Sequence, residues 1–251
     1  YGFVVIAPAM TDNWGMLFAS VYQSEIARPQ DASRTLDFAE ELTAADGQLA
    51  GLIDLDHIAA SGWSWGGQVA LELAGARIDL NDWLATYCQT YPEDGDCIAY
   101  PEHLADLATL AGLAAPPDGL WPDWRDPRVD AIVPFAPGVS MFTDAGIQHV
   151  QIPVLLLLGS ADDSVGSMFA MRQTYEKLPS PAKTRVLIEN ASHLVYFNNC
   201  AASPELIAAA YTWVCSDPVW DMNRAHDLIN HFATAFLLAE LKGDAEAAKA
   251  L

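Results

Sequence analysis

The sequence predicts an α/β fold in which a mostly parallel sheet is flanked by helices. Short apolar runs rich in Val, Ile and Leu alternate along the chain with longer runs of helical periodicity. This is the order expected when each strand is followed by a crossover helix. The apolar runs show little polar alternation, as expected of strands that are buried on both faces.

Each predicted element follows from its local pattern of apolar residues. Strands are predicted at residues 3–7, 57–61, 129–135, 154–158 and 184–188. Helices are predicted at residues 33–44, 67–76, 167–178 and 204–213, with a last helix marked by Leu228, Ile229, Phe232, Ala235 and Phe236. A length of 251 residues, of which 52% are hydrophobic, is sufficient for one large domain, and we predict a single domain over residues 1–251.

Residues 78–127 interrupt the alternation of strands and helices. This segment contains two of the cysteines and a cluster of prolines between Pro116 and Pro127. A connection of this length between a helix and the next strand is usually functional. We predict a lid-like insertion, and the alternative is a surface excursion held by a disulfide.

The charge of the chain argues against anionic partners. There are 12 Lys and Arg residues against 33 Asp and Glu residues, a formal net charge of −21. Such a chain repels nucleic-acid backbones and anionic lipids, so neither is an expected partner. The longest apolar runs are far shorter than the about 20 residues of a membrane span, and none is predicted.

The four cysteines indicate an oxidising compartment. Three pairings are open, and the local one joins Cys88 to Cys97 and Cys200 to Cys215. An even number with close pairs favours disulfides over four buried thiols, which predicts a secreted or periplasmic protein. No Cys-x-x-Cys is present and no His lies at ligand spacing, so we predict no metal and no cofactor.

A candidate nucleophile lies between a predicted strand and a predicted helix. The segment reads Gly62-Trp63-Ser64-Trp65-Gly66, which is a Gly-x-Ser-x-Gly elbow in its required context. Glycine is expected on both sides because the strained turn leaves no room for a Cβ. At a helix N-terminus the dipole favours an anionic intermediate, and the backbone N–H of Trp65 is placed to donate to an oxyanion.

A serine hydroxyl needs a base that is oriented by a carboxylate. His193 follows the strand predicted at 184–188, and Asp162 and Asp163 follow the strand predicted at 154–158. The order Ser, Asp, His is that of hydrolases with this elbow. The remaining histidines do not follow a late strand and are more simply structural: His57, His103, His149, His226 and His231.

With these motifs in order, the chain resembles the α/β-hydrolase superfamily. Within it, the chain is similar to predicted dienelactone hydrolases related to platelet-activating-factor acetylhydrolases and cutinase-like polyester hydrolases. Residues 1–8 resemble the fourth strand, 62–67 the elbow, and 126–129 with 136–138 the sixth strand and its exit. The elbow carries Ser64 where true dienelactone hydrolases carry Cys, so the resemblance implies a serine esterase that forms an acyl-enzyme.

The resemblance leaves two candidates for the acid. Relatives with a Gly-x-x-Asp-x-x-Val loop match at Asp162, whereas the Asp-Ser/Thr-Val loop of polyester hydrolases matches at Asp163. We favour Asp162, since the neighbouring motifs resemble the first group. The resemblance also implies that three strands and the second oxyanion donor precede Tyr1, so the domain is expected to be N-terminally incomplete, with the missing segment supplied elsewhere.

Three tryptophans are candidates for substrate binding. Trp63 and Trp65 flank the nucleophile, and Trp14 follows the first predicted strand. Trp14 is expected to line an acyl or aromatic pocket, whereas Trp63 is equally expected to pack beneath the elbow. No Arg or Lys lies near these motifs, so a neutral small-molecule or polymeric ester, including cutin-like polymers, is the predicted substrate. The alternatives are an acetylhydrolase or peptidase with the same triad, and a non-catalytic binding protein on this fold.

Overall fold

The computed structural model describes residues 2–10, 22–163, 174–202 and 204–251. In this part of the chain, four strands form one parallel sheet in the order β1-β2-β3-β4. The strands are β1 (Ile58–Trp63), β2 (Val129–Phe135), β3 (Val154–Gly159) and β4 (Lys183–Ile188). The predicted class, a parallel sheet flanked by helices, is confirmed.

The helices lie before, between and after the strands. They are α1 (Ser24–Thr43), α2 (Trp65–Leu73), α3 (Leu80–Thr90), α4 (Gly95–Leu110), α5 (Asp144–Ile147), α6 (Pro204–Ala208), α7 (Met222–Lys242) and α8 (Ala245–Ala248). Short 3₁₀ turns occupy His193–Tyr196, Cys200–Ala202 and Thr212–Cys215. No helix in the described ranges is long and apolar enough to cross a membrane.

The central strand β3 has an apolar core on each of its faces. Val154, Leu156 and Leu158 pack into a cluster with α2, whereas Leu155 and Leu157 pack into a second cluster with α7. All six residues of β3 are buried. The period of two along a strand places its neighbouring side chains on opposite faces, which explains why β3 is an uninterrupted apolar run.

An arginine joins α1 to the beginning of β2. The Arg128 guanidinium contacts Asp126 at 2.6 Å, Asp37 at 2.8 Å and Glu40 at 2.7 Å. Hydrogen bonds from Arg128 and Ser33 outweigh burial and lower the pKa of Asp126 to about 2. The contact fixes α1 to the beginning of β2.

Residues 78–127 have a core of their own. The helices α3 and α4 pack around the buried rings of Trp83, Tyr100 and Trp121, and Cys88 is bonded to Cys97. The second local pair, Cys200 and Cys215, is also a disulfide. The role of the insertion as a lid stays a prediction.

Three predicted elements differ from the structure. Residues 3–7 form no strand, because no described strand lies beside them to complete a ladder, and Val5 is 84% exposed. The helix predicted at 204–213 ends at Ala208, since Ala210 adopts a φ of 61° that an α-helix excludes. Helix α1 begins at Ser24 and not at residue 33. Most of the helix predicted at 167–178 lies outside the described residues, and residues 174–177 are helical.

Candidate active site

The elbow places Ser64 between the last residue of β1 and the first residue of α2. Ser64 has a φ of 55° and a ψ of −118°, a backbone conformation that is costly for residues other than glycine. A Cβ on Gly62 would lie 2.3 Å from the carbonyl of Gly66, and one on Gly67 would lie 2.9 Å from Pro137. The expected crowding therefore occurs at Gly62. At Gly66 the expectation is wrong, since a Cβ there would meet nothing within 4 Å.

The structure brings Ser64, His193 and Asp162 together from three separate loops. His193 Nε2 lies 2.9 Å from Ser64 Oγ, and His193 Nδ1 lies 2.8 Å from Asp162 Oδ2. Because an ionised carboxylate only accepts hydrogen bonds, Nδ1 carries the imidazole proton and Nε2 accepts from the serine hydroxyl. This arrangement can remove the hydroxyl proton of Ser64 during nucleophilic attack.

The two candidate acids differ in their surroundings. The Asp162 side chain is completely buried, whereas Asp163 is exposed. The hydroxyl of Tyr196 is buried nearby, and burial together with the charge of Asp162 raises its pKa. Of the two carboxylates, only Asp162 has a described hydrogen bond to His193.

The loops that carry the acid and the base are joined directly. The backbone N–H of Asn190 donates to Ser160 Oγ at 2.7 Å, and Ser160 Oγ donates to Glu189 at 3.2 Å. The N–H of Ala161 donates to the carbonyl of Ala191 at 3.0 Å. These contacts hold the ends of β3 and β4 together, and sequence reasoning missed them because Ser160 and Glu189 have no motif of their own.

Trp63 contacts the base and does not only pack beneath the elbow. Its indole N–H donates to the backbone carbonyl of His193 at 3.0 Å. Its ring lies 5.0 Å from the His193 ring and 5.8 Å from that of Phe197. Trp63 therefore contacts both the main chain and the ring of His193, and holds the base in place.

A cavity of about 510 Å³ opens beside Ser64. Trp63 and Trp65 lie in its wall, together with mostly apolar residues of α1, β1, α2 and residues 6–10. The wall also contains Arg28 of α1, whose guanidinium lies 4.3 Å from the centre of the Trp65 ring. The sequence did not indicate a cation here, because Arg28 is distant along the chain. The third predicted pocket residue, Trp14, lies outside the described residues.

A buried polar cluster lies one helical turn beyond the nucleophile. The Gln68 amide donates to Glu25 at 2.5 Å, and the Tyr100 hydroxyl donates to the same carboxyl at 3.0 Å. Burial raises the pKa of Glu25 to about 7. One turn further along α2, burial raises the pKa of Glu72 well above its ordinary value. This cluster connects α1, α2 and the insertion.

The histidines assigned to structural roles lie elsewhere. His57 pairs with Asp54 at 2.8 Å, and this hydrogen bond raises its pKa. His103 stacks on Tyr22 with ring centres 3.8 Å apart. His226 Nε2 lies 3.1 Å from the carbonyl of Val195. None of these rings has a described contact with Ser64.

No family model and no curated protein matches the sequence. Esterase 2 of Thermogutta terrifontis, in a structure phosphorylated by paraoxon, is similar with 15% identity and a TM-score of 0.46, covering 85% of this chain and 62% of the esterase. A truncated carbohydrate esterase from gut microbiota is similar with 14% identity and a TM-score of 0.38, covering 66% of this chain and 61% of that one. An E-2-(acetamidomethylene)succinate hydrolase is similar with 16% identity and a TM-score of 0.30, covering 73% and 70%.

The chain thus spans less than two thirds of the length of both esterases. A likeness at these TM-scores carries no argument about activity.

Proposed function

We propose that this protein is a serine hydrolase of the α/β-hydrolase superfamily, which cleaves carboxylic esters through an acyl-enzyme on Ser64. The proposal is carried by the hydrogen-bond chain from Ser64 through His193 to Asp162, with distances of 2.9 and 2.8 Å. The strained elbow and the buried acid support it, because both are costly features that nucleophilic catalysis requires.

In the proposed mechanism Ser64 Oγ attacks the ester carbonyl carbon while its proton moves to His193 Nε2. Asp162 stabilises the imidazolium that forms. The N–H of Trp65 is the first of α2 and has no intrahelical acceptor, so it is available to the oxyanion. His193 then protonates the leaving alcohol, and water attacks the acyl group by the same proton transfers, which releases the carboxylic acid and restores Ser64.

The cavity favours an apolar ester, although its wall also contains the Arg28 guanidinium. Its wall is mostly aliphatic and aromatic, and Trp63 and Trp65 face the space beside Ser64. Its volume of about 510 Å³ is that of a small-molecule site. The proposed substrates are therefore small esters or the end of an ester polymer. Within the superfamily, we propose that the chain is related to the predicted dienelactone hydrolases. The two disulfides support a secreted or periplasmic location.

Hydrolysis of p-nitrophenyl acetate and butyrate tests the proposal. The wild type is expected to hydrolyse both, and Ser64→Ala is expected to lose at least about 10⁴-fold in kcat. A fluorophosphonate should label the wild type on the peptide that contains Ser64. Turnover that survives in Ser64→Ala would contradict a serine mechanism. Faster turnover of peptide anilides would favour a peptidase, and absence of both turnover and labelling would favour a binding protein.

A further inference from the structure

The carboxylate of Asp217 binds the segment that carries the base. Its Oδ2 accepts hydrogen bonds from the backbone N–H of Ser192 at 2.7 Å and from the Ser192 hydroxyl at 2.8 Å. Its Oδ1 accepts from the backbone N–H groups of Val219 at 2.9 Å and Trp220 at 2.8 Å. One carboxylate therefore joins the residue before His193 to the turn that leads into α7.

Ser192 uses its hydroxyl for this contact and not for its own helical turn. It occupies the N-cap position of the 3₁₀ turn His193–Tyr196, where a serine hydroxyl commonly accepts from the first backbone N–H groups. Here the side chain makes no cap hydrogen bond. The bond to Asp217 therefore replaces a local cap by a connection to a residue 25 positions away.

The segment that carries Asp217 is itself held on both sides. Two residues before it, Cys215 is bonded to Cys200. Three residues after it, the Trp220 indole N–H donates to the carbonyl of Glu189 at 2.8 Å. Because both ends are anchored, the carboxylate acts as a fixed support for Ser192 and not as a mobile surface group.

From these contacts we infer that Asp217 is a positioning residue, which holds His193 at the angle needed for proton transfer from Ser64. The inference rests on the proposed hydrolase function and extends it, since Asp217 touches neither substrate nor the reacting atoms. Small displacements of a catalytic group are costly, and about 1 Å of misplacement reduces turnover by about 100-fold.

The charge of Asp217 matters for this role. Partial burial opposes ionisation, but the hydrogen bonds from Ser192, Trp220 and Val219 outweigh it and lower the pKa of Asp217. The carboxylate is therefore an anion throughout the neutral range and accepts from all of its donors. In Asp217→Asn one oxygen becomes an NH₂ group, which cannot accept from the N–H groups that face it.

The test compares Asp217→Asn with Asp221→Asn. Asp221 is the matched control, since it lies on the same segment and only caps α7 through the N–H of Arg224. For Asp217→Asn we expect kcat on p-nitrophenyl butyrate to fall about 10- to 100-fold with KM within about twofold. Asp221→Asn should retain the wild-type kcat and KM.

Ser192→Ala is expected to keep the fold and probes the same contact. It removes one of the hydrogen bonds to Asp217, so kcat should fall about fivefold, and the same change should have less effect in the Asp217→Asn background. An Asp217→Asn enzyme with the wild-type kcat would overturn the inference, even if its thermal midpoint were lower.

The inference can fail separately from the proposed function. A wild type without turnover or fluorophosphonate labelling contradicts the function. In that case the His193 imidazole ¹H–¹⁵N signals still report on Asp217. Signals that shift in Asp217→Asn and not in Asp221→Asn support the positioning role, and unchanged signals reject it.

Discussion

The indole N–H of Trp63 donates to the carbonyl oxygen of His193 across 130 residues of sequence. The residue before the nucleophile therefore supports the base directly. Together with Asp217 it holds the main chain of His193 from two directions, through the carbonyl on one side and through Ser192 on the other.

Trp63→Phe should separate the hydrogen bond from the ring contact. Phenylalanine keeps an aromatic ring against His193 but cannot donate, and a hydrogen bond of this kind is worth about 1 kcal/mol. We expect kcat to fall about fivefold. Trp213→Phe is the control, because the Trp213 side chain is 62% exposed and has no described contact with the triad. Equal kcat in both variants would show that the Trp63 bond is not used.

Replacement of each candidate acid by asparagine should give opposite results for Asp162 and Asp163. Asp162→Asn keeps the size of the side chain but removes the carboxylate that orients His193 Nδ1, and a loss of about 10⁴-fold in kcat is expected. Asp163→Asn, on the exposed neighbour, should stay within about threefold of the wild type. Steady-state assays on one p-nitrophenyl ester measure both. The reverse result would assign the acid role to Asp163.

Stability should decrease as the pH rises through neutrality because of Glu25. Its pKa is raised from 4.5 to about 7 by burial, so the folded state holds the proton more tightly than the unfolded chain. The stabilisation is complete below pH 4.5 and is lost as the pH rises through 7, with a slope of up to about 1.4 kcal/mol per pH unit. Thermal midpoints measured from pH 5 to 8 should therefore fall.

Glu25→Gln should flatten this dependence. A neutral amide occupies the same volume and has no proton to lose. The slope that remains includes the contribution of Glu72, whose pKa is also raised by burial. Glu41→Gln on the exposed face of α1 is the matched control and should keep the wild-type slope. An unchanged slope in Glu25→Gln would mean that Glu25 is ionised in the folded protein.

The two disulfides should differ in their effect on activity. Each closes a short loop, with sequence separations of 9 and 15, and removal of either is expected to cost about 3 kcal/mol of stability. The double variant Cys200→Ser, Cys215→Ser should also lower kcat, because the Cys200–Cys215 disulfide anchors the segment that carries Asp217. The Cys88–Cys97 disulfide lies in the insertion, and the double variant Cys88→Ser, Cys97→Ser should leave kcat unchanged. Labelling of the unfolded, unreduced wild type should detect no free thiol.

The elements that carry Ser64, His193 and Asp162 could be predicted from sequence because their signals are local. The elbow combines glycines with a strand before and a helix after, and both remaining loops follow buried strands. The resemblance favoured Asp162 over Asp163, but the local pattern alone did not separate them, since burial of one neighbour and exposure of the other depend on the whole fold.

The supporting contacts had no sequence signal. Asp217, Ser160 and Arg28 are ordinary polar residues in their own segments, and each reaches its partner only through the packing of segments that are distant along the chain. The strand predicted at residues 3–7 was wrong for a related reason. A strand needs a neighbour with which to form hydrogen bonds, and composition does not report one.

The left-handed backbone conformation at Ser64 lowers the stability of the folded protein, but catalysis depends on the serine in that position. Glycine adopts this conformation without steric cost, so Ser64→Gly should relieve about 1–3 kcal/mol of backbone strain and raise the thermal midpoint while ending catalysis. A screen that selects for thermal stability alone would therefore enrich inactive variants that are substituted at residue 64. Selection for thermostability should include a measure of product formation in every round.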